Sequence, residues 1–182
     1  AEIKGCSPEV LAYELLMENN GTAILYRPLS NYAYRNLDTV FDMMHDPNSL
    51  LGLGDGGAHV GVLTDASAIT YMLTHWTRDR TRGNKVKLPW AIKRLTYDNA
   101  NAIGLKDRGI IKVGKKADLN IIDYPNLRIN KPEVCYDLPA GGKRMVQRID
   151  GYDATIVSGQ VVTRFGKPTD MLPGQLVRGE KI

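Results

Sequence analysis

The order of helix and strand signals predicts an α/β fold, with αβ units on a parallel sheet followed by a small β-rich domain. Three observations predict it. Residues 7–104 alternate amphipathic helical stripes with short apolar runs. One of those runs, Ser49-Leu-Leu-Gly-Leu-Gly54, opens into the glycine-rich loop Asp55-Gly-Gly-Ala-His59. From about Gly109 the period changes from helical to strand-like, as the turn residues become closely spaced.

The first helix is expected to begin with Ser7 as its cap and Pro8 in its first position. Leu11 and Leu15 share a face, and Asn19-Asn20-Gly21 supplies the stop. Thr22–Tyr26 reads as a short buried strand. Leu37, Val40, Phe41 and Met44 stand at i, i+3, i+4 and i+7, a helical stripe ended by Pro47. Ser49–Leu53 reads as the next strand. Ile69, Met72, Leu73 and Trp76 repeat the stripe, with Asp65 as a cap and Gly83 as the stop, and another helix is expected over Pro89–Ile103 before Gly104. These stripes are core faces.

The second part offers strands at 117–123, 145–149, 154–157 and 160–163. Ser158-Gly159 suits a two-residue hairpin turn between the last two. The tail from Pro168 is expected to run extended along an edge. The domains divide as 1–110 and 111–182.

Composition narrows the function. The chain has 182 residues, is 43% hydrophobic and carries a net charge of +4, enough apolar content for a real core. Its Lys and Arg are interleaved with acidic residues rather than blocked, so nucleic-acid binding is not expected. No apolar stretch reaches the roughly 20 residues needed to span a bilayer, and no membrane association is expected. Cys6 and Cys135 stand alone, in neither a zinc-knuckle nor a disulfide pattern, which fits a reducing cytoplasm. The opening Ala1-Glu2-Ile3 reads like the middle of a loop, so a preceding segment is expected.

Asp55 is the candidate catalytic residue: a carboxylate where an apolar run meets a loop is where barrel enzymes place their chemistry. Gly54, Gly56 and Gly57 allow unusual backbone angles and close approach of a ligand. His59, four residues on, is a candidate for substrate contact or for support of the aspartate. A structural carboxylate and a hydrogen-bonded loop histidine are the competing readings. His45 and His75 are read as structural. Neither a Gly-x-Ser-x-Gly elbow nor a phosphate-binding Gly-x-x-x-x-Gly-Lys motif is present, and Gly52, Gly54 and Gly57 match a dinucleotide fingerprint only in spacing, with no helix opening directly after them.

Leu51-Gly-Leu-Gly-Asp55-Gly-Gly-Ala-His59 resembles the last barrel strand and metal-site aspartate of the amidohydrolase superfamily, specifically its D-aminoacylase branch, the N-acyl-D-amino acid deacylases. Leu95-Thr-Tyr-Asp-Asn-Ala100 through Gly109 is similar to that family's post-barrel helix. Gly114-Lys-Lys-Ala117-Asp118-Leu-Asn-Ile-Ile-Asp123 is similar to the strand entering its small β-sandwich, and Gly151-Tyr-Asp-Ala154 through Val161 to the closing hairpin.

The resemblance implies the C-terminal portion of a metal-dependent TIM-like (β/α)8 barrel followed by part of a small β-sandwich. It implies hydrolysis of a non-peptide amide, with one or two zinc-class ions lowering the pKa of a bound water. Asp55 would serve as metal ligand and general base, and Gly56, Gly57 and His59 would contact substrate or support the site. The family's His-x-His pair and its later histidines have no counterpart among His45, His59 and His75. A catalytic zinc usually takes three protein ligands, so the chain alone is expected to be inactive and to need the missing N-terminal half of the same protein. A homo-oligomer is also compatible. A cyclic amidase of the hydantoinase or dihydroorotase kind, or a non-catalytic assembly module, are the alternative readings.

Overall fold

The computed structural model describes residues 1–28, 30–32, 34–52, 57–62 and 65–178, which form two compact units, 1–40 and 41–182. The first unit contains α1 (Pro8–Gly21), where the Ser7 hydroxyl accepts from the Val10 N–H at 3.3 Å and Pro8 sits in the first turn. The cap and the proline stand where the sequence put them. Glu18 leaves helical geometry, and Asn19 and Asn20 take φ of 53° and 58°, a left-handed stop that asparagine tolerates. Thr22–Tyr26 forms no ladder and Tyr26 is 88% exposed, against the expectation of a buried strand. A strand needs a neighbour to accept its hydrogen bonds, and no described residue supplies one.

Helix α2 (Asp38–His45) carries the expected stripe across the boundary between the units and buries Met44. Beyond it, Ser49–Gly52 also lacks a ladder, and Leu53 lies outside the described residues. A short 3-10 turn, Asp65–Ser67, leads into α3 (Ala68–Tyr71), which continues as a π-helical stretch, Met72–Asp79. Met72, Leu73 and Trp76 are buried as their spacing implied, but Ile69 is exposed. Asp65 is the first residue of the 3-10 turn rather than a helix cap, and the helix stops at Asp79 rather than at Gly83. The Arg80 N–H closing on His75 O at 2.9 Å is an i to i−5 bond. The next helix runs as α4 (Leu88–Lys93), a second π-helical stretch (Arg94–Asp98) and α5 (Asn99–Ala102), and Gly104 at φ 77° ends it.

The β-rich part follows. Strands β1 (Leu119–Ile122), β6 (Tyr152–Val157), β7 (Gln160–Arg164) and β8 (Lys167–Pro168) make one sheet in that order. Strands β2 (Arg128–Ile129) and β5 (Ile149–Asp150) form a pair, and β3 (Glu133–Leu138) with β4 (Gly142–Val146) another. Every ladder among the described residues is antiparallel and every sheet open. The architecture is therefore mixed helix and strand, without the parallel ladder that the sequence led us to expect. The Ser158-Gly159 turn has φ of 50° and 79°, both positive as a tight hairpin requires.

Asp118 ties this hairpin to β1. Burial disfavours its charge, but the Ser158 N–H donated at 2.8 Å, with Lys116 and Arg108 nearby, outweighs that and holds the carboxyl below its usual range. Beyond β8, among the described residues, Thr169 ties the tail to β7 through its N–H to Val162 O at 2.9 Å and its hydroxyl to Val161 O at 2.7 Å, while Leu172 is exposed.

Two arginines join the elements of the second unit. Arg78, in the first π-helical stretch, donates to the carbonyls of Tyr124, of Pro125 at 3.2 Å and of Leu127 at 2.7 Å. It thereby fixes the turn Tyr124–Asn126, behind which Leu127 is completely buried. Arg94 donates to Met44 and Ser49, at the end of α2 and just beyond it.

Candidate active-site loop

Asp55 and Gly56 lie outside the described residues, and the geometry of the candidate site is that of the chain on either side of them. Upstream, three bonds converge from Arg94 Nη2: to Ser49 O at 2.7 Å, Ser49 Oγ at 3.0 Å and Met44 O at 3.2 Å. Asn99 Nδ2 donates to Leu51 O and reaches Leu95 O at 3.5 Å. Arg94 is largely buried, faces Asp98 at 3.7 Å and lies 5.8 Å from the centre of the Trp90 ring. A buried guanidinium is costly unless its donors are satisfied. Here Nη2 donates to the Ser49 and Met44 oxygens, Nη1 faces the Asp98 carboxylate as an ion pair, and the buried Nε has no hydrogen-bond partner.

Downstream, Gly57 has φ 93° with open space where a Cβ would stand, and His59 has φ 46°. Both are exposed. The stretch closes on itself through Val62 N–H to His59 O at 2.9 Å, and it is pinned to β4 by Met145 N–H to Val60 O at 2.7 Å. Ser67 Oγ adds a bond to the Gln147 side chain at 2.6 Å. Gly57 and His59 thus share one anchored turn two to four residues past Asp55.

The other two histidines pack against aromatic rings. His45 Nδ1 bonds Phe41 O at 2.7 Å, and its ring stacks on Trp90 at 4.5 Å. His75 stacks on Tyr71 at 4.6 Å and meets Trp76 edge-on at 5.5 Å. Burial lowers the His75 pKa, Arg80 lowers it further, and Asp79 partly opposes them. Among the described residues no three His, Cys, Asp or Glu side chains converge as a metal ion requires, so those residues do not hold a zinc by themselves. No described helix is long and apolar enough to cross a membrane.

Arg94 and Asn99 were not singled out by sequence reasoning. Asn99 stands inside the stretch Leu95–Gly109 that carried the resemblance, and that was the available signal.

The model of the family described as the amidohydrolase family matches residues 16–163, a span that holds the Asp55 loop, both π-helical stretches and β1 to β7 almost entire. The chain is also similar to a 5-methylthioadenosine/S-adenosylhomocysteine deaminase of Pelotomaculum thermopropionicum, with 32% identity over 140 residues, 65% of this chain and 31% of the relative. It therefore spans about a third of the length of that curated relative. No solved structure matches it. With four-fifths of its length inside the family match, the chain belongs to the amidohydrolase family.

Proposed function

We propose that this chain is the part of a hydrolase that presents Asp55 to a C–N bond under attack by water. The family match enclosing the Asp55 loop carries this reading. In it the Asp55 carboxylate takes a proton from the attacking water and returns it to the departing nitrogen, a double duty that needs one group within hydrogen-bond reach of both. Gly57 leaves space beside the loop, and His59 stands on its rim for substrate contact.

The finer reading is an N-acyl-D-amino acid deacylase, supported by the motifs around Asp55, Leu95–Gly109 and Gly114–Asp123. A second reading, removal of an amino group from a purine ring, is favoured by the relative's activity as its name gives it. Both hydrolyse a C–N bond at a trigonal carbon, and both use the carboxylate in the same way.

The whole protein would use a divalent ion, zinc in the first instance, with ligands beyond the described residues. The rest of the same polypeptide is the proposed source of those ligands and of a barrel's remaining strands. Ile111 and Val113 are 88% and 101% exposed, a poor state for residues in an otherwise apolar stretch.

The test is the whole protein and its Asp55→Asn variant, each assayed with zinc on N-acetyl-D-methionine and on 5-methylthioadenosine for released amine or ammonia. Loss of roughly 10²-fold or more in kcat on the substrate turned over is expected for a general base. Activity retained within a few-fold would remove Asp55 from catalysis, and no turnover of either compound would remove both substrate readings.

A further inference from the structure

We propose that the cavity between the end of the Leu88–Ala102 helix and the segment 105–116 binds a small organic phosphate, held by Lys106, Lys112 and Lys115 with Arg108 beside them. The proposal is independent of the role of Asp55.

The segment leaves the helix, turns and closes on itself. Leu105 N–H bonds Ala100 O at 2.8 Å, Lys115 N–H bonds Lys112 O at 3.0 Å, and Lys116 N–H bonds Asp107 O at 2.7 Å. Gly109, at φ 84°, brings the segment against the helix. A Cβ there would stand 3.0 Å from both Tyr97 Cα and Ala100 Cβ and 3.1 Å from Thr96 O, so a larger residue would push the two apart. Tyr97 and Asn101 of the helix, together with the segment, line a cavity of about 350 Å³. That falls within the range of small-molecule sites, roughly 300–1,000 Å³.

The charge of the lining is unbalanced. Four cationic side chains line the cavity and, among the described residues, no carboxylate does. A second cavity, of about 190 Å³, is lined by Lys93 and Arg94 but also by Asp46 and Asp98, with a histidine, His45, beside them. Asp107 and Asp118 pair with Arg108 at 2.9 and 3.8 Å and so offset one of the four charges of the larger cavity. Lys115 donates from Nζ to Lys106 O and keeps two further N–H donors.

Like charges around one space repel, and a multivalent anion among them removes that cost. A doubly charged phosphate with three acceptor oxygens can take hydrogen bonds from several ammonium groups at once. Leu105, Ile110 and the Tyr97 ring give the same cavity an apolar side for the organic part. The cations converge on a concavity instead of running along a face, which favours a small ligand over a nucleic acid.

The test is isothermal titration calorimetry of the whole protein with phenyl phosphate, in low salt at about pH 8, where the phosphate is doubly charged. A dissociation constant below about 1 mM is expected. Lys112→Ala and Lys106→Ala should each weaken binding at least about 5-fold, while Lys143→Ala, which removes an exposed charge from β4, stays within about 2-fold. Benzoate, with one charge, should bind at least about 10-fold more weakly, and inorganic phosphate less tightly than phenyl phosphate.

No binding of phenyl phosphate, by calorimetry and by phosphorus NMR line width, overturns the proposal. Equal weakening in Lys143→Ala overturns it in favour of general charge attraction. A single-stranded RNA oligomer that binds in the same buffer while phenyl phosphate does not overturns it in favour of a polyanion surface. Should Lys106→Ala not fold, Lys112→Ala, at an exposed residue, carries the same test.

Discussion

Gly151→Ala should be among the most damaging single-methyl additions in the β-rich part. Gly151 lies between β5 and β6 at φ 100°, and its carbonyl accepts the Asp123 N–H at 2.9 Å. A Cβ built there stands 2.6 Å from Leu127 Cα and 3.0 Å from Leu127 N, backbone atoms that cannot rotate away. Positive φ alone costs an alanine roughly 1–2 kcal/mol, and forcing an extra methyl into a packed site adds roughly 1–3 kcal/mol. The expected loss is therefore about 2–5 kcal/mol.

Gly159→Ala is the matched control. Gly159 has φ 79° but nothing within 4 Å of the same ideal Cβ, so only the strain of roughly 1–2 kcal/mol should appear. Urea unfolding of both variants followed by far-ultraviolet circular dichroism reads the difference. With a slope of about 2 kcal/mol per molar urea, the Gly151 midpoint should fall by about 1–2.5 M and the Gly159 midpoint by about 0.5–1 M. Equal midpoints would refute the close approach of Leu127 and leave glycine's freedom as the whole explanation.

Two other perturbations follow from the helical layer. Arg78→Ala leaves the carbonyls of Tyr124, Pro125 and Leu127 without their shared donor. It should lower stability by about 2 kcal/mol, with a drop in thermal midpoint as the measurement and no change in kcat. His75 has a folded pKa below its ordinary value, so its contribution to stability is intact above the unfolded pKa, about 6.5. That contribution is lost as the pH falls toward the folded value and the unfolded chain takes up the proton first. His75→Phe should flatten this part of the pH–stability curve, and an unchanged curve would exclude His75 as its source.

What could be read from the sequence was local. The stripe Leu37, Val40, Phe41, Met44 produced α2, and Ser158-Gly159 produced its hairpin, because each depends only on residues within a few positions. Thr22–Tyr26 could not be placed, since an apolar run becomes a strand only beside a partner, and none stands among the described residues. The π-helical geometry was equally hidden. Ile69, Met72, Leu73 and Trp76 fit an α-helix and a π-helix alike over so short a span, and the burial of three of the four does not separate them. Asp55 stands in a motif but lies outside the described residues, whereas the contacts that Arg94 and Asn99 make with Ser49 and Leu51 were not legible, because residues five apart read as opposite faces under the 3.6-residue period.

The supports of the Asp55 loop come from chain that follows it. Arg94 and Asn99 hold its approach, and β4 holds its exit through Met145 N–H. The described residues supply no cluster of metal ligands. Among the described residues, Ser49 and Leu51 are held before the loop and His59 and Val60 after it.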